Sequence, residues 1–185
     1  MRKQALILID IQNIYFTEGE YKLNHPEEAS LNAQKILQYF RMRHLPVLHI
    51  KHLFNQGSYK EDINSLREFH VNVAPLPDEI IVEKKYPNAF LGTGFKQKLD
   101  ENGIKELVVV GMMSHMCVDT TVRAAQDHGY AVTLINDACT TKNLQFNGIN
   151  IDADLVHTVF MASLNGAFAR IETADEFLSM QTNSN

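Results

Sequence analysis

The stretch "VVVGMMSHMCVDTTVRAA", residues 108–125, carries a cysteine to the point where an apolar strand gives way to a helix. Ser114 reads as the N-cap of that helix. Cys117 then falls in the first turn, where free N–H groups and the positive end of the helix dipole favour a thiolate. The same N–H groups would hold an oxyanion formed when the thiolate attacks a carbonyl. Taken alone, Cys117 reads equally well as a core thiol, because free cysteine is among the most buried residue types.

A nucleophile needs a base. Asp10 ends the apolar run "QALILID", residues 4–10, where a carboxylate either bonds loop amides or accepts a thiol proton and returns it to a leaving group. In "VEKKYPNAF" the neighbours Lys84 and Lys85 point to opposite sides of a strand, so only one can face a site. There its ammonium would stabilise both carboxylate and thiolate; the alternative is a solvated surface charge. Gln12, Tyr15 and Phe16 lie just past the acid as pocket walls or loop packing, and His52 and Tyr86 are further candidate substrate contacts.

His49 and His52 point to opposite faces of a strand with no acid between them, so no metal site is expected. His70, His115, His128 and His157 read as isolated, the last two as boundary residues of amphipathic helices. Cys139 reads as core packing. "GTGF", residues 92–95, reads as a helix start rather than a phosphate loop, since its third glycine is missing.

These positions need a scaffold that brings strand ends together. "QALILID" and "ELVVVG" are continuous apolar runs, the pattern of strands buried on both faces of a parallel sheet. Between and after them come a helix over 27–44, strands at 47–52 and 78–84 and a short helix ending near Gly103. A helix over 115–128, a strand at 130–137, a helix over 152–168, a short strand in "ARIET" and a last helix in "ADEFLSM" follow. The alternation predicts one α/β domain over residues 1–185: three layers, α/β/α, with a Rossmann-like, doubly wound, mostly parallel sheet. Such sheets bind ligands outside the carboxyl ends of their strands, the rim that holds Asp10, Lys84 and Cys117. The segment 52–77 lacks periodicity and reads as a pocket wall or lid.

Composition narrows the classes. A chain of 185 residues that is 45% hydrophobic and 21% charged can bury a sizeable core. A net charge of −5 without an extended basic patch argues against nucleic acid and anionic membranes as partners. The first apolar run is too short to span a bilayer and no cleavage site follows it, so a cytoplasmic location is expected. Two cysteines without CxxC spacing suggest neither a disulfide scaffold nor a zinc site.

Three segments, "ALILIDIQNIYF", "VEKKYPNAFLGTGF" and "VVVGMMSHMCVDTTVRAA", resemble the motifs of the isochorismatase-like cysteine hydrolases in order and spacing, and "LINDACTT" resembles a fourth strand end of that family. The resemblance runs from about Ala5 to about Phe168. It implies a catalytic triad of Asp10, Lys84 and Cys117, Lys84 being six positions before the phenylalanine of "NAF". It also implies a cis peptide between Met112 and Met113, with the N–H of Met113 or Met116 joining that of Cys117 at an oxyanion.

Family members that hydrolyse the vinyl ether isochorismate lack the cysteine. Cys117 therefore points to hydrolysis of a C–N bond in a small amide, carbamoyl or ureido substrate through a thioester, with no cofactor. A vinyl ether hydrolase is the alternative, as is a nicotinamidase, although "HIKHLFNQGSYK" lacks that branch's Asp-x-His metal pattern. A binding member with an unused triad and a flavodoxin-like nucleotide binder are the rivals from other classes, the latter disfavoured because no glycine loop follows the first strand. The resemblance also implies a homo-oligomer.

Overall fold

The protein is described here from a computed structural model covering residues 3–17, 21–54 and 63–182. β1 (Lys3–Ile9), β2 (Val47–His52), β3 (Ile80–Lys84), β4 (Ile104–Met112), β5 (Ala131–Thr140) and β8 (Arg170–Glu172) form one sheet in the order β3-β2-β1-β4-β5-β8. All five pairings are parallel. The chain winds outward from β1 to β3, returns to β4 beside β1, and winds outward the other way. In open α/β sheets such a reversal, here at the carboxyl ends of β1 and β4, is where ligands bind.

The helices are α1 (Pro26–Met42), α2 (Ile63–Arg67), α3 (Phe95–Glu101), α4 (Asp119–Asp127), α5 (Ala153–Leu164) and α6 (Ala174–Thr182). Strand alternation divides the core into two layers. Ala5, Ile7 and Ile9 pack with Phe95 and Leu99 of α3, Val122 of α4, and Met161 and Leu164 of α5. Leu6 and Leu8 pack on the opposite face with Ile36, Leu37 and Phe40 of α1 and Phe177 of α6. With both faces covered, β1 has no reason to alternate polar with apolar, and it does not.

Several boundaries differ from the sequence reading for identifiable reasons. β5 continues to Thr140, so Cys139 lies inside the strand, buried opposite Gly111, rather than beyond its end. α5 stops at Leu164 because the N–H groups of Phe168 and Ala169 both turn back to the Leu164 carbonyl. The helix expected over 115–128 begins as a π turn (Ser114–Val118) before α4 takes over at Asp119.

An unexpected hairpin pairs β6 (Leu144–Phe146) with β7 (Ile149–Ile151). Asn147 and Gly148 form its two-residue turn, both with positive φ, the Asn-Gly signature of a type I′ turn. Of the segment 52–77, residues 55–62 lie outside the described residues; the remainder holds α2 and a 3₁₀ turn (Val71–Val73).

Candidate active site

Asp10 follows the last residue of β1 and adopts φ 51°, a left-handed conformation that aspartate tolerates better than most residues. Its N–H still donates to the Ile50 carbonyl at 3.0 Å, so the carboxylate stays anchored at the sheet edge. Alternation along β3 turns Val82 and Lys84 inward and leaves Ile81, Glu83 and the following Lys85 exposed, so Lys84 is the lysine that reaches the rim. Cys117 sits in the π turn after β4, buried at 4% exposure.

These residues, 74 and 33 positions from Lys84 in the chain, converge on one ammonium group. Lys84 Nζ donates to Asp10 Oδ2 at 2.6 Å and to Cys117 Sγ at 3.2 Å. It also donates to His52 Nδ1 at 3.0 Å, from the end of β2. Asp10 Oδ1 is buried and makes no hydrogen bond among the described residues. The donor atoms of Asp10, His52 and Cys117 lie within 4.8 Å of one another, a spacing that suits a metal ion. Lys84 Nζ, within hydrogen-bond distance of all three, stands among them as the cation.

Burial dominates the proton affinities. It pushes the Asp10 carboxyl up, against the attraction of Lys84. It pushes the Cys117 thiol up as well, reinforced by the charge of Asp10 and opposed by Lys84. Burial therefore works against the thiolate that a helix start was expected to favour. His52 is pushed down to about 4 by burial and then by Lys84, which fits its role as acceptor from the ammonium.

The turn around Cys117 also departs from expectation. Ser114 does not cap the helix; Met113 occupies the cap position, without a side-chain bond, and Ser114 Oγ bonds His157 Nδ1 at 2.7 Å. His115 Nδ1 bonds Thr141 Oγ1 at the end of β5. His115 and His157 are therefore not isolated: they tether the turn to its neighbours. The Met112–Met113 peptide is cis. The N–H groups of Met116 and Val118 both donate to the Met113 carbonyl, at 3.0 and 3.3 Å. Met116 thus has no N–H to offer an oxyanion, whereas Met113 N–H makes no hydrogen bond among the described residues and Cys117 N–H makes none outside its own turn.

The other candidates separate. Gln12 is wholly buried and its amide serves backbone: Nε2 donates to the carbonyls of His52 and Arg67, and Oε1 accepts from His52 N–H. It holds β2 to the Asp10 loop rather than facing a pocket. Tyr15 is buried with its ring edge-on to Phe54, and Phe54 in turn lies against His52 with ring centroids 4.6 Å apart. Phe16 stacks on His70 at 3.7 Å, and Tyr86 is exposed. Phe54 was not anticipated, although an aromatic two positions beyond His52 lies on the same side of an extended chain.

A family model described as the isochorismatase domain matches residues 4–176. The isochorismatase family protein YddQ of Bacillus subtilis (strain 168) is 45% identical over 176 residues, covering 94% of this chain and 98% of that one. The streptothricin hydrolase of Streptomyces noursei is 32% identical over 143 residues, which is 76% of this chain and 51% of that protein. The crystal structure of an isochorismatase from Pseudomonas putida KT2440 superposes with a TM-score of 0.89 at 36% identity, covering 95% of this chain and 90% of that one.

Proposed function

Since the chain belongs to the isochorismatase family and is a hydrolase of its cysteine type, we propose that it cleaves a C–N bond of a small amide, carbamoyl or ureido substrate. In this reading Asp10, Lys84 and Cys117 are the catalytic triad. The observation that carries it is the convergence of all three in buried positions at the carboxyl ends of the strands, with Lys84 hydrogen-bonded to both Asp10 and Cys117. A streptothricin hydrolase among the relatives is consistent with it.

The steps follow from which atoms are free. Lys84 occupies Asp10 Oδ2, so Oδ1 is the oxygen left to take the Cys117 proton as Sγ attacks the carbonyl carbon. Burial makes Asp10 a stronger base and at the same time keeps the proton on Cys117 sulfur, which suits transfer during the attack rather than before it. The oxyanion is held by the N–H groups of Cys117 and Met113. Collapse of the intermediate breaks the C–N bond, and Asp10 returns its proton to the departing nitrogen. Water then attacks the thioester, gives a proton to Asp10, and releases the acid; the proton goes back to the sulfur.

The experiment is a panel of primary amides, ureides, N-carbamoyl amino acids, nicotinamide and isochorismate, assayed with wild type and Cys117→Ala. The expected result is hydrolysis of at least one C–N substrate, loss of that turnover in Cys117→Ala, and an acyl or carbamoyl adduct on Cys117 by mass spectrometry of quenched enzyme. Isochorismate turnover that survives Cys117→Ala would replace this reading with cysteine-independent vinyl ether hydrolysis.

A further inference from the structure

Lysine's ammonium has three protons and no acceptor. Here each proton has one partner: Asp10 Oδ2, Cys117 Sγ and His52 Nδ1. Two of these belong to the proposed triad, and the third does not. We infer that His52 is a positioning residue for Lys84: by accepting the third proton it fixes the rotation of the ammonium, so that the other two protons stay aimed at the carboxylate and the sulfur. The inference rests on the triad reading above and extends it by one residue.

The acceptor is itself held in place. His52 N–H donates to Gln12 Oε1 at 2.8 Å, and its carbonyl accepts from Gln12 Nε2 at 3.1 Å. Gln12 lies two residues after Asp10, so one buried amide ties the backbone that carries the imidazole to the loop that carries the acid. The ring is backed by Phe54, which also meets the buried Tyr15 edge-on. Without an acceptor at this point, a buried ammonium would keep one proton unpaired or turn away from sulfur to satisfy it, and either costs the buried charge part of its solvation. A neutral imidazole satisfies the proton without adding a second negative charge that would compete with Asp10 for the ammonium. The low proton affinity of His52 keeps it in that form near neutrality.

The geometry assigns the work to Nδ1, and this separates the inference from a role in touching substrate through Nε2. The side-chain oxygen of asparagine reaches about where Nδ1 stands, and that of glutamine about where Nε2 stands. The test measures carbamidomethylation of Cys117 by iodoacetamide at pH 8.5, read by peptide mass spectrometry, in wild type, Lys84→Met, His52→Asn, His52→Gln and His52→Leu. Removing Lys84 is expected to slow the reaction roughly tenfold, the effect of raising the thiol by one pKa unit. His52→Leu and His52→Gln are expected to slow it in the same direction, whereas His52→Asn stays close to wild type.

A wild-type rate in His52→Leu overturns the inference, as does glutamine restoring the rate where asparagine does not, or equal slowing in all three variants. Should His52→Leu fail to fold, the contrast between asparagine and glutamine decides alone. An unchanged rate in Lys84→Met refutes the triad reading itself, and the role of His52 falls with it. A normal Lys84 effect with no His52 effect refutes only the inference made here.

Discussion

A Cβ on Gly111 would stand 2.2 Å from the carbonyl oxygen of Ile9 and 2.8 Å from its Cβ and N. The two residues face each other across β1 and β4, immediately before Asp10, and Gly111 has φ 143°. Neither the contact nor the backbone conformation accommodates a side chain. Gly111→Ala is expected to lower stability by more than ~3 kcal/mol or to prevent folding. Urea unfolding checks it: a loss within ~1 kcal/mol would mean that the two strands can part there at little cost.

The buried Asp10–Lys84 pair makes a second prediction. Lys84→Met leaves a carboxyl whose proton affinity burial raises, now without its opposing cation. A group with a raised folded-state pKa supports stability at low pH and loses that support as pH rises through the folded value. The stability gap between wild type and Lys84→Met should therefore widen from pH 5 to pH 8, reaching about 3–5 kcal/mol. The double variant Asp10→Asn/Lys84→Met should recover much of it without recovering turnover. Denaturant midpoints at the two pH values measure the gap, and a gap independent of pH would contradict the account.

His52 gives the opposite sign. Its folded value is depressed from 6.5 to about 4, so its contribution to stability is present above pH 6.5 and is lost as pH falls toward 4. His52→Asn cannot titrate in this window. Relative to that variant, wild type should lose stability as pH drops from 7.5 to 4.5, measurable as a change in the difference between their melting temperatures. A difference that stays constant over this range would show that the imidazole titrates no differently in the folded and unfolded chains.

Ser114 and His157 link the cysteine turn to α5. Ser114→Ala removes one partner of a part-buried hydrogen bond, at an expected cost of about 1–2 kcal/mol. Displacing the turn should also reduce kcat roughly tenfold with little change in KM, since the attack on the carbonyl depends on where Sγ points. Steady-state kinetics on whichever substrate the amide panel yields will measure this; an unchanged kcat would confine the bond to a structural role.

What could be read in advance was what depends on local pattern. Apolar runs placed β1 and β4, alternation along β3 separated Lys84 from Lys85, and the rule for strand ends selected the rim on which Asp10, Lys84 and Cys117 meet. What could not be read depends on contacts across the chain. Gln12 looks like a pocket residue until the register of β2 brings the His52 backbone within its reach. Met116 looks like an oxyanion donor until the turn commits its N–H to Met113. The burial that disfavours a thiolate at Cys117 has a similar origin, since it is imposed by layers distant in sequence. The hairpin is different: Asn147-Gly148 between short strands is a local turn signal, legible without any distant contact.

All three protons on Lys84 are committed within the protein, as is one oxygen of Asp10. In the reading proposed above, the groups left to meet an incoming molecule are the sulfur, a single carboxylate oxygen and the N–H groups of Met113 and Cys117. Such a set can feel a carbonyl and the atom leaving it, and is blind to everything further out. On that reading selectivity falls to residues around the buried set, which leaves the set itself free to stay constant while the range of compounds it serves drifts.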